Sequence, residues 1–270
     1  MLLQQGLSDF FLILIIILGF LGAFLDSSMG MGYGLLAPIF LILGLDVFIV
    51  VPVLLFSQMT TGFVGSIFHS LYDNVDFSSD ETQNVKTTIL FIGMGFTGMT
   101  IAVLLAINIS VIILMLYIGI LMIVAGVLMF PKIKFNYSWK RMVLLNGLAS
   151  FNKAISGGGY GPIMTIGQMA SGRDARKSVA FTDFIEAFLS GFGFLLYLLF
   201  NQYIGINLVI TVQMSLIMII SGIVATPLGA FVTKRMEEKN TRNIIGVLSV
   251  SIGVFTLIRL ILIEIPLIFG

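Results

Sequence analysis

Long apolar runs and short polar breaks alternate along this chain from one end to the other. Several runs reach or exceed the roughly 20 residues that a helix needs to cross a bilayer, and they lack the alternation of barrel strands. The pattern predicts ten helical segments, at residues 10–25, 35–45, 48–71, 86–106, 109–130, 142–151, 162–170, 178–200, 208–232 and 243–263. We therefore expect an all-α, polytopic membrane protein.

Composition agrees with surroundings of lipid rather than water. Of the 270 residues, 58% are hydrophobic and only 10% are charged, whereas soluble domains carry roughly 25% charged residues. The net charge of +1 gives no reason to expect a nucleic-acid partner. With no cysteine and one histidine, the sequence predicts no metal site, no cofactor and no catalytic residues, and so no enzyme.

Two glycine-rich stretches occupy corresponding places in the two halves of the chain. Gly30-Met-Gly-Tyr-Gly34 and Gly157-Gly-Gly-Tyr-Gly161 coincide at an offset of 127 positions. Each precedes a segment of only 11 or 9 residues, 35–45 and 162–170, which would cover about 14–17 Å as a helix. We predict two repeats, 1–131 and 132–270, within one integral membrane domain. Each repeat contains a helical hairpin, re-entrant or nearly spanning, and three transmembrane helices.

The basic residues predict the orientation of these repeats. Twelve of the 14 Lys and Arg residues fall at Lys86 and in the connections 132–141, 173–177 and 234–242. Basic connections remain in the cytoplasm, which places both termini outside and inverts one half relative to the other. Inverted repeats with broken helices are typical of secondary transporters. The predicted location is a cell inner membrane.

The glycine-rich stretches and their polar neighbours form the first candidate site. Unwound backbone at membrane depth lines protein or a water-filled cavity, and the helix that follows each stretch turns its N–H groups toward an anion. We predict that a small anion binds Ser27, Ser28, Gly30, Gly32, Tyr33, Gln58, Lys153, Ser156, Gly157, Gly159 and Tyr160. The alternative is that the glycines only let the helices pack closely.

Acidic residues inside the predicted spans are the second candidate group, because ionisable groups are costly there. Asp183 and Glu186 lie three positions apart on one helical face, and Asp26 corresponds to Lys153 at the offset of 127. We predict that these carboxylates couple transport to protons or pair with Lys153, and a purely structural ion-pairing role is the alternative. His69, close to the acidic stretch 73–81, is expected at the membrane interface.

Taken together, these motifs resemble the TauE/SafE family of membrane permeases, the sulfite exporters. The similar stretches are Gly19-Phe-Leu-Gly22, Gly30-Met-Gly-Tyr-Gly34, Ser156-Gly-Gly-Gly-Tyr-Gly-Pro162, Ser178-Val-Ala-Phe-Thr182 and Thr226-Pro-Leu-Gly-Ala230. The resemblance implies export of sulfite, an organosulfonate or a related sulfur-containing anion. An ion channel with Gly-Tyr-Gly loops and a transporter of a non-sulfur carboxylate are the alternatives. The oligomeric state stays open, a homodimer included.

Overall fold

The computed structural model describes residues 9–76, 82–131, 136–235 and 238–264, and these ranges contain helices and no strand. The helices are α1 (Asp9–Met29), α2 (Gly32–Ile42), α3 (Val47–Leu71), α4 (Thr82–Ala106), α5 (Val111–Met129), α6 (Trp139–Ser156), α7 (Tyr160–Ala170), α8 (Ala175–Leu199), α9 (Asn201–Ile204), α10 (Leu208–Thr233) and α11 (Glu238–Arg259), followed by a π-helical turn at Leu260–Glu264. Each of the ten predicted segments corresponds to a helix.

Six of the described helices, α1, α3, α4, α5, α8 and α10, are long and apolar enough to cross a membrane. Large apolar side chains such as Leu195, Leu199 and Val209 point outward and are more than half exposed. The buried faces are mainly apolar but also carry many small and polar residues, as in membrane helices that pack closely against one another. The prediction of an all-α polytopic membrane protein is confirmed.

The breaks within the two hairpins are shorter than the sequence predicted. The first helix of each hairpin runs on to Met29 or Ser156, and the second begins at Gly32 or Tyr160. Left-handed backbone occurs at Gly30 (φ 71°), Gly157 (φ 73°) and Gly159 (φ 103°), which only glycine adopts without strain. The polar residues before each break are helical, so Asp26 and Lys153 lie on the last turns of α1 and α6.

The tips of the two hairpins cross in contact with each other. A Cβ atom on Gly158 would lie 2.3 Å from the Cα of Gly34, and one on Gly161 would lie 1.6 Å from the carbonyl oxygen of Gly30. The returning helices α2 and α7 have 11 residues each, or about 17 Å, roughly half of a hydrocarbon core. The tips therefore meet backbone to backbone.

Contacts between connections define the two ends of the bundle. At one end the Lys234 ammonium lies 3.9 Å from the Asp73 carboxylate, and Met129 and Arg173 line one cavity. At the other end a Cβ on Gly44 would lie 3.7 Å from the Arg259 guanidinium. We call the first the basic end, because it holds the described residues Lys140, Arg141, Arg173, Arg176, Lys177, Lys234, Arg235 and Lys239.

Helix packing follows the same scheme in both halves. In the order of the chain, α1 to α5 correspond to α6, α7, α8, α10 and α11. Helix α1 packs on α10 as α6 packs on α4, and α2 packs on α3 as α7 packs on α8. Corresponding helices also pack on each other, α3 on α8 and α5 on α11. Exchanging the halves leaves this set of neighbours unchanged.

Candidate functional site

A group of polar side chains is buried where the hairpin ends meet α3 and α8. Its members, which we call the buried polar cluster, are Asp26, Gln58, His69, Lys153, Asp183 and Glu186, and none is more than 5% exposed. On α8, Thr182, Glu186 and Ser190 recur every four residues and are all buried, so they share one face. That face and the equivalent one on α3 enclose the cluster.

Lys153 is hydrogen-bonded to one acidic and one amide side chain, from two helices. Its ammonium donates a hydrogen bond to Glu186 Oε1 at 2.8 Å and another to Gln58 Oε1. Gln58 Nε2 in turn donates to Asp26 Oδ2 at 2.6 Å. Lys153 and Asp26, which correspond in the two halves, are therefore linked through one amide group, and the direct ionic partner of Lys153 is Glu186.

His69 is fully buried inside the protein, whereas its expected depth at the membrane interface stays a prediction. Its Nε2 atom lies 3.3 Å from Asp183 Oδ2 and 3.4 Å from Ser27 Oγ. Asn74 Nδ2 lies 3.0 Å from His69 Nδ1 and also donates to the Ala230 carbonyl at 2.8 Å. Because an amide nitrogen only donates, Nδ1 accepts and Nε2 carries the proton toward Asp183.

A sequence signal could have located His69. Gln58, Gly65 and His69 are separated by seven and four positions, which places them on one face of α3. Their neighbours on that face include Thr61 and Ser66, which are also buried. This stripe of small and polar residues indicates the burial of His69 better than its distance along the chain from the acidic connection does.

The carboxylates of the buried polar cluster outnumber its cations. One carboxylate oxygen each of Asp26, Asp183 and Glu186 lies within 4.8 Å of the others, a spacing that could hold a metal ion. Asp26 Oδ1, Asp183 Oδ1 and Glu186 Oε2 have no hydrogen-bond partner. Three carboxylates and one ammonium leave a formal charge of −2 with His69 neutral, which a buried site holds only by binding protons or a cation. The sequence named these three carboxylates as possible partners of Lys153 but not their mutual proximity, because α1 and α8 meet only in the fold.

The predicted glycines at the hairpin tips serve close packing. A Cβ on Gly32 would lie 1.9 Å from the carbonyl oxygen of Gly22, within the same hairpin. Neither α2 nor α7 has a side-chain hydrogen bond at its N-cap, Met31 or Gly159. Ser156 Oγ, next to the second tip, instead donates to the Asn152 carbonyl at 2.8 Å. At the crossing, closely packed glycines thus lie beside two helix N-termini that have no side-chain cap.

The two predicted tyrosines anchor the returning helices. The Tyr33 hydroxyl lies 3.0 Å from Thr61 Oγ1, and the Tyr160 hydroxyl donates to Asn146 Oδ1 at 2.8 Å. Both side chains are fully buried. Their hydroxyl contacts hold α2 against α3 and α7 against α6. The structure therefore gives both tyrosines a role in holding the helices together.

A cavity of about 560 Å³ leads inward from the basic end. Arg173 and Arg176 line it at the connection between α7 and α8, and Ser28 and Thr165 line it beside the first hairpin tip. Of the predicted anion-binding residues that the structure describes, Ser28 is the one that lines this cavity. Lys153, Gln58 and Ser27 belong to the polar contacts deeper inside. Nothing in the sequence singles out Arg173, because a basic connection is usually a solvated surface.

Comparison with known proteins identifies a family for this chain. No curated protein and no solved structure matches the chain. The model of the family described as Sulfite exporter TauE/SafE matches residues 15–256, across both halves and both hairpins. This match confirms the resemblance found in the sequence motifs. The chain belongs to the TauE/SafE sulfite exporter family of membrane transporters.

Proposed function

We propose that this protein is a secondary transporter that exports a small anion, sulfite or an organosulfonate, and that proton binding at the buried polar cluster is coupled to anion binding. The family is one of membrane exporters of sulfite and other sulfur compounds. The observation that supports coupling between anion and proton is the excess of carboxylates around Lys153, deep inside the bundle.

Electrostatics links the anion to the proton. An anion that approaches Lys153 also approaches Glu186 and Asp26, and like charges at this separation repel strongly in a medium of low dielectric constant. If Glu186 takes up a proton, it releases the Lys153 ammonium, which can then face the anion. Anion binding at Lys153, on the last turn before the second hairpin tip, therefore requires proton uptake by the carboxylates.

The symmetric packing supports a repeat-based transport cycle. Residues 1–131 and 132–270 would be inverted repeats, whose hairpins enter from opposite ends and meet at the crossing. Rocking of one half against the other would close the cavity at the basic end and open a path at the opposite end. In this proposal the basic end is cytoplasmic, both termini are outside, and the protein lies in a cell inner membrane.

The crossing of the tips disfavours the ion-channel alternative. A carbonyl-lined filter needs an open axis, whereas Gly161 approaches the Gly30 carbonyl so closely that a Cβ there would lie 1.6 Å from its oxygen. A carboxylate cargo shares the negative head group of a sulfonate. The binding experiment below therefore has to distinguish a carboxylate cargo from a sulfur-containing one.

The test combines ligand stabilisation with proton uptake. Purified protein is heated with sulfite, sulfate, thiosulfate, alkanesulfonates or carboxylates, and we expect a sulfur-containing anion to raise the melting temperature. The stabilising anion is then added to weakly buffered protein containing a pH indicator, and we expect the medium to become more alkaline.

Failure of every anion to stabilise the protein would overturn the small-anion function. Stabilisation without proton uptake, in the parent protein and in Glu186→Gln alike, would overturn the coupling alone. Repeating the measurement in sodium chloride and in choline chloride tells whether Na⁺ replaces the proton among the three carboxylates.

A further inference from the structure

We propose that the cavity at the basic end is an anion-loading site, in which Arg173 binds the oxyanion head and a wall of methionines binds an apolar body. This proposal rests on the proposed anion transport and adds where the anion binds first and which anions are preferred. It assigns recognition of the anion to residues outside the buried polar cluster.

Arg173 is held in one orientation by neighbours on two helices. Its Nη1 atom donates to Gln168 Oε1 at 2.9 Å, and its guanidinium lies 4.2 Å from the centre of the Phe181 ring. Gln168 is itself fixed, since its Nε2 atom donates to Thr182 Oγ1 at 2.9 Å. A planar guanidinium that is already positioned binds two oxygens of an oxyanion with little loss of side-chain entropy.

The charges around the cavity favour an anion. Its lining includes Arg173, Arg176 and the acidic Asp174. The Asp174 carboxylate caps α8, accepting hydrogen bonds from the N–H groups of Arg176 at 3.0 Å and Lys177 at 3.3 Å. This contact directs the negative charge to the start of the helix rather than into the cavity. The cavity thus presents a positive lining, in contrast to the excess negative charge of the buried polar cluster.

The remaining wall is apolar and adaptable. Met29, Met31 and Met129 form a buried apolar group of their own, and Met169 also lines the cavity. Methionine side chains adjust to ligands of different shape. A volume of about 560 Å³ is typical of sites for organic ligands and exceeds what an inorganic oxyanion fills. The lining therefore fits an organic monoanion with a short apolar body better than it fits sulfite.

Hydroxyl groups connect the loading site with the hairpin tip. Thr165 lines the cavity and its hydroxyl donates to Thr182 Oγ1 at 3.2 Å. A Cβ on Gly30 would lie 2.6 Å from Thr165 Oγ1, so this hydroxyl touches the tip itself. Ser28 lines the cavity two residues beyond Asp26. An anion released by Arg173 thus passes hydroxyl groups on its way to the buried polar cluster.

The experiment measures affinity for methane-, ethane-, propane- and butanesulfonate, sulfite and butyrate by thermal shift and by competition. For the parent protein we expect affinity to rise about fourfold per methylene along the sulfonates. Arg173→Gln should lower the affinity for every anion about tenfold or more. Lys140→Gln is the matched control, because it removes an exposed charge at the same end without touching the cavity, and it should have little effect.

Two further variants separate the parts of the site. Met169→Asn should flatten the rise with chain length, so that butanesulfonate loses more affinity than sulfite does. Arg173→Lys retains the charge and should recover part of the lost affinity, which shows that the protein still folds if Arg173→Gln is unstable. Comparable affinities of butyrate and butanesulfonate would extend the preferred anions to carboxylates.

The outcomes distinguish this inference from the proposed function. If the parent protein binds no anion, anion transport itself is wrong. If it binds anions while Arg173→Gln and Arg173→Lys bind them equally well, the loading site is wrong and transport stands. A flat series of sulfonates in the parent would remove the methionine wall from the site.

Discussion

Lys153 shows at the scale of one residue how much this protein depends on partners inside the membrane. The side chain has no exposed surface, and an ammonium buried in this way is tolerated only with opposite charge and hydrogen bonds around it. Its identity as a candidate followed from the sequence, because few ionisable residues lie within the apolar segments. Its partners could not be predicted individually, since Gln58 and Glu186 come from helices distant along the chain.

Removing Lys153 should destabilise the protein through the charges that remain. Lys153→Met leaves Glu186 without its cation, a change that costs about 3–5 kcal/mol in buried pairs. We expect a lower melting temperature for this variant and recovery of most of the loss in Lys153→Met/Glu186→Gln. Melting curves of both variants and of Glu186→Gln alone measure the effect. Equal melting temperatures for the parent and Lys153→Met would contradict the importance of this ion pair to the fold.

His69 should matter for proton transfer as well as for packing. Its Nε2–H faces Asp183, and its other nitrogen accepts from Asn74, so the ring can pass a proton toward the carboxylates. We expect His69→Gln, which keeps a donor near Asp183, to fold like the parent but to take up protons about tenfold more slowly or worse. Rates of pH change in proteoliposomes at several pH values provide the measurement.

The control for this prediction is Asn74→Asp, which alters the hydrogen bond to the ring without removing the ring. We expect it to change the pH dependence rather than abolish proton uptake. If His69→Gln equals the parent in rate and in pH dependence, the histidine has a structural role alone.

At the scale of elements, the hairpins were predicted from the sequence and their breaks were not. The glycine-rich stretches marked both turns correctly, but helical backbone continues to Met29 and Ser156. Propensity made the polar residues before each break look like loop. In the structure these residues remain helical because their side chains find partners there, as Asp26 does with Gln58 and Ser27 does near His69.

The crossing of the hairpins makes a sharp prediction for one glycine. In Gly161→Ala the new methyl carbon would lie 1.6 Å from the Gly30 carbonyl oxygen. The two hairpin tips must therefore move apart. We expect a loss of about 1–3 kcal/mol of stability, typical of overpacking. Gly147→Ala in the same hairpin is the control, because a Cβ there has nothing within 4 Å. Thermal unfolding of both variants measures the difference. Equal stability of Gly161→Ala and Gly147→Ala would show that the tips separate without loss of stability.

At the scale of the whole molecule, the predicted repeats propose which helices correspond but not which helices touch. Nothing in the sequence pairs α1 with α10 or α5 with α11, because almost every helix offers both small and apolar faces. Contacts of α1 and α3 with α8 bring Asp26 and Gln58 from the first half to Asp183 and Glu186 from the second. The buried polar cluster is therefore a product of the association of the halves, which explains why most of its members, but not their contacts, could be named beforehand.

The last prediction concerns how the two ends of the bundle are oriented in the membrane. The chain contains no cysteine, so single cysteines introduced at Asn136 and Gln202, both exposed, report the ends unambiguously. Asn136 precedes α6 at the basic end, whereas Gln202 lies between α8 and α10 at the opposite end. Because basic connections remain in the cytoplasm, an impermeant thiol reagent should label Gln202→Cys in intact cells.

Asn136→Cys should react with the same reagent only after the membrane is permeabilised. Arg173→Cys and Gly44→Cys repeat the comparison within the hairpin ends, Arg173 beside the cavity and Gly44 next to Arg259. If the two hairpins enter from opposite sides, these positions also label from opposite sides. Labelling of Asn136→Cys and Gln202→Cys from one side would require an even number of crossings between them, and neither inverted repeats nor alternating access could then be retained.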